Sequence, residues 1–128
     1  MKIVECKKGN YGISLNFIDD NGVFLGYDYD QCCCESFGYI TRKKYETVSK
    51  DFAYDIEELD EDLDLEGYNF DKEFLDLDSL EELQYATFRC VKENSDDIYL
   101  VLYNCHNGYY SHGFEFKDGK EINVKEYL

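Results

Sequence analysis

The chain lacks proline and tryptophan, has a single Met, and carries only 13 Lys and Arg among its 128 residues. Without proline, tight turns must come from Asn-Gly and Asp-Gly dipeptides, which adopt the positive φ angles that short hairpins need. No apolar run approaches the roughly 18 residues of a membrane-spanning helix, and the first nine residues lack the features of a signal peptide. We therefore expect a cytoplasmic protein that neither crosses nor binds a membrane.

Negative charge dominates the residues that are present. Asp and Glu number 29, which gives a net charge of -16, and such a chain is repelled by DNA and RNA. Hydrophobic residues still make up 44% and aromatic residues 17% of the chain, which is too much apolar material for an intrinsically disordered protein. Because this length suits one compact domain, we expect residues 1–128 to form a single domain that does not bind nucleic acid directly.

Two blocks of the chain, residues 2–40 and 85–127, predict β-strands by their alternation of apolar and polar side chains. The predicted strands span residues 11–18, beginning at Tyr11, and residues 23–29, 85–91, 98–103, 109–116 and 122–127. The predicted turns are Asn21-Gly22, Asn107-Gly108 and Asp118-Gly119. Because each connection is too short for a crossover, we expect an antiparallel β-meander.

An acidic insert separates the two blocks. Residues 51–82 contain 15 Asp and Glu and a single cation, Lys72, so nearly all of the net charge is local. Apolar side chains recur at the spacing of one helical face at Phe52, Ile56, Leu59 and Leu63. This spacing predicts an amphipathic helix that ends before Gly67. The carboxylates expected to cover its solvent face are Asp55, Glu57, Glu58, Asp60, Glu61, Asp62 and Asp64.

A second, weaker helical signal follows in the same insert. Phe70, Phe74 and Leu77 continue the apolar stripe, and Ser79-Leu80-Glu81-Glu82 matches a capping box. The predicted fold class is therefore α+β, an antiparallel β-meander sheet with one or two acidic amphipathic helices packed on it.

The six cysteines include the consecutive run Cys32, Cys33 and Cys34. Neighbouring cysteines are poor disulfide partners, and on a strand their side chains alternate between two faces, so three thiolates cannot meet at one metal. A zinc site would need either Cys33 or the pair Cys32 and Cys34, joined by the distant His106 and His112, but no ligand spacing typical of zinc proteins is present. We expect reduced thiols that act as small buried hydrophobic groups, with no bound metal and no cofactor.

A polar stretch at residues 104–113 predicts a hairpin rich in Tyr, His and Asn, typical of the rim of a small-ligand pocket. Its candidate ligand-binding residues are Asn104, His106, Asn107, Tyr109, Tyr110 and His112. The same residues also suit a purely structural turn. No phosphate-loop, dinucleotide, hydrolase or zinc-protease motif occurs, and acidic surroundings disfavour a cysteine nucleophile. We therefore expect a protein that is not an enzyme.

The stretch Asp-x-Cys-Cys-x-Glu-Ser at residues 30–36 and the later Asn-x-His-Asn-Gly-Tyr-Tyr-Ser-His-Gly at residues 104–113 resemble a domain of unknown function found in tailed phages and prophages. The resemblance covers most of residues 11–116. The chain departs from that family in its third cysteine and in a longer, more acidic middle. The resemblance implies an origin in a phage or mobile element, and hence a role against host defence.

These observations favour a non-enzymatic inhibitor of bacterial defence, similar to an anti-CRISPR protein. Its acidic surface would present carboxylates where a host defence protein or nucleoprotein complex with a basic surface expects phosphates. The alternative is a sponge protein that sequesters a nucleotide second messenger in the Tyr, His and Asn-rich hairpin, across a homo-oligomer interface. An ordinary solvated surface would also explain the acidic residues.

Overall fold

The computed structural model describes residues 1–7, 12–119 and 121–128, with the backbone alone for residues 121–123. The strands are β1 (Lys2–Lys7), β2 (Ile13–Ile18), β3 (Val23–Asp28), β4 (Ser36–Arg42), β5 (Asn69–Leu80), β6 (Leu83–Val91), β7 (Ile98–Cys105), β8 (Gly113–Asp118) and β9 (Glu121–Tyr127). The only helical elements in this described part of the chain are two short 3₁₀ turns. No helix among the described residues has the length and apolar character needed to cross a membrane.

The nine strands divide into two antiparallel sheets. Sheet A has the order β1-β2-β3-β8-β9, and sheet B has the order β4-β7-β6-β5. The chain passes from sheet A to sheet B through residues 29–35 and returns through residues 106–112. The predicted α+β class is therefore wrong, because the described residues form antiparallel strands and, apart from two short 3₁₀ turns, contain no helix.

The two sheets pack face to face over an aromatic core. Phe88 of β6 is fully buried, and its ring centroid lies 5.7 Å from that of Phe114 and 5.1 Å from that of Phe116, both in edge-to-face contact. Tyr27 of β3 is also fully buried, and its hydroxyl donates a 2.8 Å hydrogen bond to the carbonyl of Tyr103 on β7. Directional contacts of this kind hold the two sheets in a defined relation.

Residues 43–66, here called the cover segment, pack on the face of sheet B that points away from sheet A. The two 3₁₀ turns, Lys50–Phe52 and Ile56–Leu59, lie within it. Their apolar side chains Phe52, Ile56 and Leu59 join a second buried cluster with residues of β4, β6 and β7. These three positions therefore face the sheet, as their spacing suggested, whereas Leu63 packs against the core between the sheets.

The predicted helix over residues 52–63 is wrong, and the charge of the segment gives a physical reason. A helix there would place carboxylates one turn apart, as at Glu57 and Glu61, and like charges at this spacing destabilise a helix. The predicted helix contains no Lys or Arg that could offset the repulsion. Asp60 instead turns its Oδ1 to the backbone N–H of Thr41 at 2.9 Å, a use of Asp that competes with helical structure.

The second helical prediction is also wrong. Its apolar positions Phe70, Phe74 and Leu77 lie on β5. The supposed capping box closes a hairpin instead, because Leu80 pairs with Leu83 and leaves Glu81 and Glu82 as a two-residue turn. Glu81 adopts a φ of 57°, in the region that such turns require. Pairing along the whole of β6 satisfies backbone groups that an isolated helical turn would leave open.

Two of the three predicted hairpin turns are confirmed. β2 pairs with β3 around Asn21-Gly22, and β8 pairs with β9 after Asp118-Gly119, with positive φ at both glycines. The prediction of a hairpin at Asn107-Gly108 is wrong, because β7 belongs to sheet B and β8 to sheet A. The predicted start of the first strand, Tyr11, lies outside the described residues.

Truncation of Phe88 to alanine should lower the free energy of unfolding by about 4 kcal/mol, since it removes a fully buried ring and leaves a cavity. The matched control is Phe24→Ala, at a half-buried ring on β3, for which a loss of about 1 kcal/mol is expected. Urea unfolding of both variants measures the difference. Equal losses would contradict the assignment of Phe88 to the core between the sheets.

Candidate functional site

The two crossings between the sheets lie side by side at one end of the molecule. β3 pairs with β8 and β4 pairs with β7, so the end of β3 adjoins the start of β8 and the start of β4 adjoins the end of β7. Residues 29–35 and residues 106–112 are therefore neighbours although they are distant in sequence. The C-terminal residue closes the same region, because Leu128 and His112 exchange backbone hydrogen bonds of 2.8 and 3.0 Å.

A buried pair of side chains, His112 and Glu35, joins the two crossings. The Nε2 of His112 lies 3.0 Å from the Oε2 of Glu35, and both side chains are 0% exposed. The Nδ1 of His112 lies 2.7 Å from the carbonyl oxygen of Asp28. The imidazole also stacks on Phe37, with 4.0 Å between ring centroids. His112 is thus held on both ring nitrogens and on one ring face.

Glu35 is fully satisfied as a carboxylate. Its Oε1 accepts the backbone N–H of Cys33 at 2.8 Å and the side-chain amide of Gln31 at 2.7 Å, and its Oε2 accepts the backbone N–H of Cys32 at 3.1 Å. Burial by itself raises the pKa of Glu35. The hydrogen bonds from Cys33, His112 and Cys32 outweigh that effect and lower the pKa to about 2.

The two ring nitrogens of His112 face two oxygen atoms. The Asp28 carbonyl oxygen can only accept, so Nδ1 donates to it. Nε2 faces the carboxylate of Glu35, whose pKa is lowered to about 2. The orientation of the imidazole is therefore fixed at both nitrogens.

The run Cys32 to Cys34 lies beside the His112–Glu35 pair, and all three thiols are free and exposed to solvent. The prediction that they are buried hydrophobic groups is therefore wrong for this run. Residues 29–35 form the loop between β3 and β4, so the alternation that a strand would impose on the three cysteines does not apply. As a result the Sγ of Cys32, a carboxylate oxygen of Glu35 and a ring nitrogen of His112 all lie within 4.8 Å of one another.

The six residues predicted to bind a ligand divide between the interior and the surface. Asn104, His106 and His112 are buried, Tyr110 is half-buried, and Asn107 and Tyr109 are exposed. The side-chain amide of Asn104 donates to the carbonyls of Tyr110 and Leu128 at 2.8 and 3.1 Å. His106 accepts the backbone N–H of Gly108 at its Nδ1. Most of these polar groups therefore hold the crossing in place.

The acidic residues predicted to bind a partner all lie on the cover segment and are all exposed. They are Asp55, Glu57, Glu58, Asp60, Glu61, Asp62 and Asp64. Asp60 also anchors the segment to β4, since it accepts the N–H of Thr41, and Glu61 accepts the N–H of Lys43 at the start of the segment. The structure therefore brings these carboxylates together on one continuous stretch of chain, but not on a helix.

The sequence reasoning missed Glu35 and the carbonyl of Asp28 as partners of His112. Glu35 stood inside a recognised motif, next to three cysteines, but was one of 29 acidic residues. The signal available was its position directly after the cysteine run. The partner, however, lies 77 residues away, and no local pattern links the two.

Comparisons with protein-family models, with curated proteins and with solved structures found no match. The resemblance to a phage domain therefore stays a prediction. Any function has to be argued from the buried pair, the thiols beside it and the acidic surface.

Substitution of Glu35 by glutamine should lower the free energy of unfolding at pH 7 by about 3 kcal/mol, because it removes the buried carboxylate that Cys32, Cys33 and His112 contact. The folded-state pKa of about 2 lies below the ordinary value of 4.5. The stabilisation from Glu35 is therefore complete above about pH 4.5 and is lost as the pH falls towards 2. Urea unfolding between pH 7 and pH 3 should show the parent and variant curves converging at low pH.

Glu5→Gln is the matched control, because Glu5 is exposed on β1. It should leave both the stability and its pH dependence within about 0.5 kcal/mol of the parent. Parent and Glu35→Gln curves that run parallel down to pH 3 would refute the role given to the buried pair.

Proposed function

We propose that the protein is a non-enzymatic inhibitor of bacterial defence, encoded by a phage or mobile element and acting in the host cytoplasm. In this proposal the cover segment occupies a basic, nucleic-acid-binding surface of a host defence protein or nucleoprotein complex. The observation that carries the proposal is the chemistry of residues 51–66, which contain nine Asp and Glu and no Lys or Arg. All nine side chains are exposed.

The carboxylates of this stretch form no ion pair among the described residues. Ion pairs do occur elsewhere between described residues, for example Arg89 with Asp71 and Lys72 with Asp118, but none of them involves residues 51–66. A partner rich in Lys and Arg would therefore form new ion pairs without first breaking existing ones. Association driven by such charge is fast and weakens as salt increases.

The cover segment is also held in a defined shape, which a disordered acidic tail would lack. Phe52 and Leu59 pack against the outer face of sheet B around the buried Ile56. Asp60 and Glu61 accept backbone N–H groups from β4 and its following residue. A segment that is already ordered loses less conformational entropy on binding than a flexible one. This order supports a docking surface over a merely solubilising one.

The alternative, a sponge for a nucleotide second messenger, has weaker support. Asn104 and His112, two of its proposed ligand contacts, are 0% exposed and bonded within the protein. The surface groove of about 490 Å³ in the described part of the chain is lined by strands of sheet A, and none of the six predicted ligand residues contributes to it. The accessible polar groups of the crossing are Asn107, Tyr109 and part of Tyr110.

The proposal is tested by neutralising three carboxylates of the cover segment in one variant, Asp55→Asn, Glu58→Gln and Asp62→Asn. The parent and the variant are used as baits for affinity capture from a bacterial lysate, with proteins and released small molecules both analysed. The parent should retain a protein that added duplex DNA displaces. The variant should retain it at least about 10-fold less, since each exposed contact to a charged partner contributes up to about 1 kcal/mol.

The matched control changes net charge equally at exposed sites outside the segment, by Glu5→Gln, Asp20→Asn and Glu93→Gln. It should capture the same partner as the parent. If both variants lost the partner equally, overall charge alone would account for its capture, which would contradict a docking role for the cover segment. Capture of a nucleotide that Tyr109→Ala abolishes would favour the sponge alternative instead.

A further inference from the structure

Three side chains of different ligand chemistry converge where the two crossings meet. They are the thiol of Cys32, the carboxylate of Glu35 and the imidazole of His112, with their ligand atoms within 4.8 Å of one another. Thiolate, carboxylate and imidazole are the three ligand types that Zn²⁺ uses in proteins. We propose that these residues form a binding site for one Zn²⁺ ion or a chemically similar transition-metal ion. This site is independent of the acidic cover segment.

The spacing of the three atoms is close to that of a tetrahedral site. Bonds of about 2.3 Å to sulfur and about 2.0 Å to nitrogen or oxygen place ligand atoms about 3.3 to 3.5 Å apart. His112 and Glu35 already lie 3.0 Å apart. Cys32 is exposed, and its Sγ lies 3.8 Å from the Asp30 carbonyl oxygen and also contacts the Glu35 side chain. Because the three ligand atoms already lie within 4.8 Å of one another, a small shift of this surface side chain would bring its Sγ to ligand distance.

The groups around the site already orient the two buried ligands. The Nδ1 of His112 donates to the Asp28 carbonyl, which directs Nε2 towards Glu35 and Cys32. The Oε1 of Glu35 is held by Cys33 and Gln31, which leaves Oε2 facing His112. Metal-binding histidines characteristically donate their second ring nitrogen to a carbonyl or carboxylate, and ligating carboxylates are themselves hydrogen-bonded. Both supporting features are present here.

The site has three protein ligands and one open side. Cys32 is exposed to solvent, so a water molecule has access to the fourth position of a tetrahedral ion. The next thiol along, Cys33, is engaged by the Tyr110 hydroxyl. An ion bound here would link the loop after β3 to the residue before β8, and it would stabilise the contact between the two sheets.

Titration with Co²⁺ under reducing conditions, followed by displacement with Zn²⁺, tests the proposal. The parent protein should bind about one Co²⁺ per chain, with the visible bands of a tetrahedral ion and a thiolate-to-cobalt charge-transfer band. Cys32→Ser should remove the charge-transfer band and weaken binding by more than about 10-fold, the least that loss of a supporting group costs. Because serine keeps the backbone N–H that Glu35 accepts, this variant retains the metal-free structure.

Cys34→Ser is the matched control, since Cys34 is an exposed thiol of the same loop outside the cluster. It should bind Co²⁺ as the parent does. The absence of a stoichiometric Co²⁺ complex in the parent would overturn the proposal. Binding that survives Cys32→Ser unchanged, or that Cys34→Ser abolishes, would overturn it equally, because the ligand set would then be different.

Discussion

Sheet B has to be covered on both of its faces, and the rest of the architecture follows from that constraint. On β7, Leu100 and Leu102 point into the core with sheet A, while Val101 and Tyr103 point to the opposite side. A strand that is apolar on both faces cannot lie at a surface without exposing a row of large side chains. Sheet A covers one face, and the cover segment, residues 43–66, covers the other. The acidic side chains of that segment then point to solvent, because its apolar ones are used against the sheet.

The same two-sheet arrangement creates the site between the crossings. Since β3 pairs with β8 and β4 pairs with β7, the two connections between the sheets must run next to each other. Backbone groups in such connections cannot all pair with a neighbouring strand, so side chains supply their hydrogen-bond partners. Glu35 accepts the N–H groups of Cys32 and Cys33, and Asn104 donates to two carbonyls. This need for side-chain hydrogen bonds to the backbone explains why residues 104–113 are polar.

Carboxylates serve two opposite purposes in this molecule. Glu35 is buried and saturated with hydrogen bonds, so its pKa falls to about 2 and its charge is confined to a pair with His112. The carboxylates of residues 51–66 are exposed and form no ion pair among the described residues. The buried Glu35 contributes stability, whereas the exposed carboxylates give residues 51–66 a negative electrostatic potential. Both kinds are ordinary acidic residues in the sequence, and only the tertiary structure distinguishes the buried one from the exposed ones.

The sequence alone determined the turns at Asn21-Gly22 and Asp118-Gly119, the strand pair of β6 and β7, and the exposure of the acidic residues. The turns depend on φ preference, the strands on side-chain alternation, and the exposure on the cost of burying a charge. Phe52, Ile56 and Leu59 face sheet B, but the helix predicted from their spacing is wrong. Tertiary structure decided that the cover segment is not a helix, that β7 and β8 join different sheets, and that Glu35 meets His112. Those outcomes depend on which surfaces, distant along the chain, are buried against each other. Because the hydrophobic effect is non-directional, a local sequence pattern does not specify the partner surface. A pair separated by 77 residues therefore leaves no local trace in the sequence.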